Sequence, residues 1–105
     1  MEKPNLDYIN QLARGDESIK KELIDVIKTE FPEEQKDYYE SVKIGEFKKI
    51  EENVHRVKHK ISILGLEKSY EIANKFEHNL RELNFNGQED FEKILVAISE
   101  YIETL

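Results

Sequence analysis

The chain has no cysteine, which excludes disulfides, thiol redox chemistry and cysteine-ligated zinc. Glycine and proline are scarce, four and two in 105 residues, which disfavours a β-sandwich with many tight turns. No window of about 18 apolar residues occurs, so no membrane-spanning helix is expected. Basic residues are outnumbered, 16 against 23 acidic ones, for a net charge of −7. Binding nucleic acid requires a concentrated basic surface to neutralise phosphates, so nucleic acid is not an expected partner. The opening MEKPNLDYIN has no apolar signal core. The expectation is one small, acidic, soluble, cytoplasmic domain spanning residues 1–105.

Helix formers fill the space those absences leave. Asn5 can cap a short first helix carrying Leu6, Ile9, Leu12 and Ala13, ended by Gly15. Asp16 or Ser18 can cap a second, with Ile19, Leu23, Val26, Ile27 and Glu30 along one stripe. Phe31-Pro32 predicts a kink or short break, with helix resuming through Tyr38, Tyr39 and Val42 to Gly45. From Glu46 to Leu64 the apolar residues Phe47, Ile50, Val54, Val57, Ile61 and Leu64 recur at intervals of 3, 4, 3, 4 and 3, a bundle seam. After a turn at Gly65, another stripe runs through Leu66, Tyr70, Ala73, Phe76, Leu80 and Leu83. Asn84-Phe85-Asn86-Gly87 reads as a loop, and Phe91, Ile94, Leu95, Ile98, Tyr101, Ile102 and Leu105 form the last stripe. Short loops between long amphipathic helices predict an all-α fold: an antiparallel four-helix bundle with a short additional N-terminal helix. A monomer is the default, since the apolar residues fit one core.

Three histidines are present, His55, His59 and His78. His55 follows Val54 of the seam by one residue, about 100° around the helix, which sets it on the flank of the core stripe. Lys58 and His59 lie one turn further on, Ser62 two turns on, and Glu51 and Glu52 one turn before. His55 is ten residues before Gly65, and Glu77 is twelve after it. Folding the hairpin there brings the two to about 15 and about 18 Å from the turn. Glu77 follows Phe76 as His55 follows Val54, so the two flank residues can meet. A carboxylate there would accept the proton of one ring nitrogen and leave the other lone pair free, as an oriented histidine nucleophile requires. Lys58 could offset the charge of an anion on that nitrogen.

The run VHRVKHKISILGLEKSYEIANKFE resembles the signature of histidine-containing phosphotransfer (HPt) domains. His55, Val57, Lys58, Leu64-Gly65 and Phe76-Glu77 stand in register with that pattern, and the strong match covers residues 54 to 81. The resemblance implies a phosphoryl carrier in a two-component phosphorelay. His55 would accept the group from the aspartyl phosphate of one response-regulator receiver domain and pass it to another. Glu77 would hold the imidazole, with Lys58 beside the phosphoryl oxygens and Arg81 a further stabilising residue. The receiver would bring Mg²⁺, so no cofactor of the chain's own is implied, and a hybrid sensor histidine kinase is an implied partner. With no glycine-rich nucleotide loop, the chain would not be a kinase by itself.

The family usually has glycine four residues after the histidine, followed by small residues, where this chain has His59 and Lys60. His59 would occupy part of the partner's approach, or bond a phosphoryl oxygen. The alternative is therefore an HPt-fold interaction module with impaired transfer. His55 and His59, at i and i+4, could also chelate zinc or copper, with Glu51, Glu52 or Glu77 as a third ligand; none is a compelling ligand, so no metal site is expected. His78 has no partner at a meaningful spacing and reads as surface.

Overall fold

Local signals set the helix boundaries. In the computed structural model, which describes residues 2–105, the chain forms five helices and, among those residues, no strand. They are α1 (Asp7–Ala13), α2 (Glu17–Ile44), α3 (Phe47–Ile63), α4 (Glu67–Arg81) and α5 (Gln88–Glu103). Asn5 Oδ1 accepts the Asp7 N–H at 3.0 Å, opening α1. Asp16 Oδ1 accepts from Ser18 and Ile19 N–H at 2.9 and 3.3 Å, capping α2. Gly45, at φ 83°, closes α2 with its N–H on the Ser41 carbonyl.

No break occurs at Phe31-Pro32. α2 runs through Pro32 as one helix of 28 residues. Proline removes one backbone hydrogen bond, an intrinsic cost of about 3 kcal/mol. Packing on either side offsets it: Phe31, Glu34 and Tyr38 are all buried.

The helices pack as a bundle. α3 lies against α2 and α4, α4 against α5, α5 back against α2, and α1 against α2. Ile50, Val54, Val57, Ile61 and Leu64 are fully buried, so the seam read from the sequence is the wall of the core. Tyr38, Phe76 and Phe91 meet at its centre, Phe91 lying 5.0 Å from Tyr38 and 5.3 Å from Phe76 between ring centres. The Tyr38 hydroxyl donates to Glu92 Oε2 at 3.0 Å. Burial, reinforced by the Glu92 charge and hydrogen bond, pushes the Tyr38 phenol well above its ordinary value.

Residues of the expected apolar stripes lie outside the core, Leu12 of α1 among them at 43% exposed. Ile19 and Val26 of α2 are 42% and 48% exposed, and Leu83 is 70% exposed. The buried face of α2 carries Ile27, Phe31, Glu34 and Tyr38, and Ile19 and Val26 lie about 100° around the helix from it; α2 is about 42 Å long. Its length matches the 44 Å long axis of the molecule. Leu83 falls beyond the end of α4, in a left-handed conformation (φ 60°), while Asn84 N–H returns to the Asn79 carbonyl.

Gly65 makes the turn between α3 and α4. Its φ is 75°, and a Cβ there would lie 2.6 Å from the Asn5 side chain. Asn5 N–H also donates to the Leu64 carbonyl, so the N-terminal segment is strapped across this turn. Glu2 Oε1 accepts the Ser69 N–H at 2.7 Å and caps the start of α4, which has no side-chain cap of its own at Leu66. No helix among the described residues is long and apolar enough to cross a membrane.

Candidate functional site

The seam sets where the site forms. Val54 and Phe76 are fully buried on α3 and α4, and the next residue on each helix turns to the shared flank. There His55 Nδ1 lies 3.0 Å from Glu77 Oε2. The two differ in exposure: the His55 side chain is 59% exposed and that of Glu77 6%. The hairpin fold thus brings together the pair that the spacing about Gly65 predicts.

Glu77 holds more than His55. Its other oxygen, Oε1, accepts from Lys58 Nζ at 3.2 Å and Arg81 Nη2 at 3.1 Å. Arg81 also donates from Nε to Glu51 Oε2 at 2.9 Å. Arg81 is exposed and half-open to solvent, whereas Lys58 is buried, its ammonium 5.2 Å from the centre of the Tyr70 ring. The flank position expected for Lys58 needs that correction: its stem lies in the α3–α4 interface, and its charge is spent on Glu77 in this state. Glu51, Glu52, His55, Arg56, Glu77 and Arg81 line a shallow depression.

An acceptor-only carboxylate places the shared proton on Nδ1 of a neutral His55 ring. Nε2 then carries a free lone pair on an exposed side chain, the form in which an imidazole attacks an electrophile or binds a metal.

His59 is exposed one turn away, its ring 5.6 Å from that of His55 and nearly perpendicular to it, at 87°. Ser62 is exposed but apart from the Glu77 cluster, bordering a cleft with Tyr8, Gly65, Leu66 and Tyr70. His78 is exposed on α4, as expected. Among the described residues no group of three or more His, Asp or Glu side chains is placed to hold a metal ion.

Lys60 carries a feature that spacing alone missed. It is buried, and its ammonium bridges Glu30 Oε1 at 2.9 Å and Glu34 Oε2 at 3.1 Å, tying α3 to α2. Burial alone would depress the Lys60 pKa, but hydrogen bonds and charge from Glu30 and Glu34 outweigh it and raise the value. The Lys60 hydrogen bond and charge hold Glu30 below its ordinary value. The available signal was Glu30, the one polar residue on the α2 stripe, with Glu34 one turn beyond it.

No family model, curated protein or solved structure matches the chain.

Proposed function

We propose that this chain is a histidine phosphotransfer protein of a two-component phosphorelay, with His55 as phosphoacceptor. The observation that carries the reading is the exposed imidazole braced through Nδ1 by the buried Glu77 carboxylate at 3.0 Å. Its frame would be an antiparallel four-helix bundle of α2 to α5 with α1 added, acting as a cytoplasmic monomer. In the transfer step, the Nε2 lone pair of His55 attacks the phosphorus of a receiver's aspartyl phosphate. The N–P bond forms, the P–O bond to the aspartate breaks, and the aspartate leaves as a carboxylate. The Nδ1 proton stays between His55 and Glu77. Transfer onward to a second receiver is the reverse reaction with a different aspartate. Response-regulator receivers and a hybrid sensor kinase would be the partners; the receiver supplies the divalent ion, and the chain acts as carrier rather than autonomous kinase.

Arg81 is the more accessible cation for the incoming phosphoryl group, since it is exposed while Lys58 is buried, and it would release Glu77 and Glu51 to reach that group. Lys58 would contribute by fixing Glu77, and would reach a phosphoryl oxygen only by leaving that carboxylate.

One observation favours a second reading, an interaction module with impaired transfer: the His59 ring stands beside His55 where a partner would approach. Incubation with a panel of phosphorylated receivers separates the two. The carrier reading predicts acid-labile, alkali-stable phosphate on the protein that is absent from His55→Gln. No such phosphate with any receiver would favour the interaction module. Timing transfer in His59→Gly then shows whether His59 obstructs, assists or does neither.

A further inference from the structure

The pairing of His55 with His59 is not used by the phosphotransfer step. The two are one turn apart on α3, both exposed, with ring centres 5.6 Å apart. Two imidazoles at i and i+4 on one helical face are the spacing with which helices grip zinc. The Glu77 contact at His55 Nδ1 leaves Nε2 as the free nitrogen. A histidine that ligates a metal through one nitrogen commonly donates the other N–H to a carboxylate, which fixes the ring and raises its strength as a ligand. Glu77 is thus already placed as that outer partner. The charges around the pair are mixed: Glu51 is held by Arg81, and Arg56 and Lys58 flank His55, so the grip rests on the two imidazoles rather than on the surrounding field.

We propose that His55 and His59 form a two-histidine clip for a late first-row divalent cation such as Zn²⁺, bound through His55 Nε2 and the His59 ring, with water completing the coordination. With only two protein ligands, the clip is an open, reversible site rather than a structural one. Binding engages the same Nε2 lone pair that an electrophile needs. Metal binding and modification of His55 therefore exclude one another. Extending that exclusion to the phosphoryl group rests on the phosphoacceptor reading; the binding itself does not.

The test uses the whole protein and zinc chloride, with no phosphoryl donor. Imidazole resonances are followed during the titration in wild type, His59→Ala and His78→Ala. The expected result is one equivalent of zinc, with His55 and His59 signals moving and those of His78 unmoved. His59→Ala should weaken binding by about tenfold or more, at least what losing an outer partner costs, and His78→Ala should not weaken it. Acylation of free imidazoles by diethyl pyrocarbonate gives a second readout, in which zinc should protect His55 and His59 but not His78. Wild-type affinity retained in His59→Ala, or acylation of His55 unaffected by saturating zinc, would overturn the clip. Either failure would leave the phosphotransfer reading standing, and failure of every receiver to phosphorylate the protein would leave the zinc result intact.

Discussion

Two buried lysines, two residues apart on α3, face opposite neighbours and make different sites from similar parts. Lys58 reaches Glu77 on α4, and Lys60 reaches Glu34 and Glu30 on α2. Each ion pair joins adjacent helices, and each glutamate that meets the core is almost fully covered. They differ in what else the carboxylate holds. Glu77 also carries His55, whose other ring nitrogen is open to a docking molecule, whereas Glu34 Oε1 is buried with no hydrogen-bond partner. A buried ion pair is by itself weak evidence of either stability or function. The reactive group attached to one pair and missing from the other makes the α3–α4 flank the candidate site and the α2–α3 pair a structural tie.

The comparison breaks most sharply at the two glutamates and their lysines. Glu77→Gln should slow transfer to His55 by at least about tenfold, the scale of one charge-assisted hydrogen bond. It should also lower stability by about 3 kcal/mol in denaturant unfolding, because Lys58 loses its carboxylate while buried. Lys60→Met should cost about 2 kcal/mol, since half-open Glu30 can turn to water while Glu34 cannot, and should leave the transfer rate unchanged. A transfer defect in Lys60→Met matching that of Glu77→Gln would erase the distinction between the two sides of α3.

Alkaline titration sharpens the contrast at smaller amplitude. Lys60 and Tyr38 both have folded pKa values raised above their unfolded ones. Their contributions are complete below the unfolded values, about 10.4 for lysine and about 10 for tyrosine, and are lost as pH rises through the folded values. Stability should therefore fall above about pH 10, and Tyr38→Phe should make that fall shallower. The smallest effect belongs to Arg81→Ala, which should cost about 0.5 kcal/mol or less, because the side chain is half in water.

The meeting of His55 and Glu77 was legible because only the 3.6-residue period and the distance to Gly65 determine it. The α3 seam was legible for the same reason, with all six of its apolar residues at least partly buried. Other features depend on orientations that periodicity does not contain. Ile19 and Val26 remain exposed because the face of α2 that the neighbouring helices cover is centred on Ile27, Phe31 and Tyr38, about 100° around the helix. Pro32 stays helical because residues on both sides of it are held in the core. Lys60 read as a departure from a small-residue pattern, since its partners on α2 are identified only once the two helices are set against each other.

The most direct test of the central claim is nuclear magnetic resonance of the protein after incubation with a phosphorylated receiver, with ¹⁵N-labelled histidine and ³¹P detection. The account predicts a single phosphohistidine at His55, bonded through Nε2, absent in His55→Gln. Phosphate on Nδ1, on His59 or His78, or persisting in His55→Gln would contradict it.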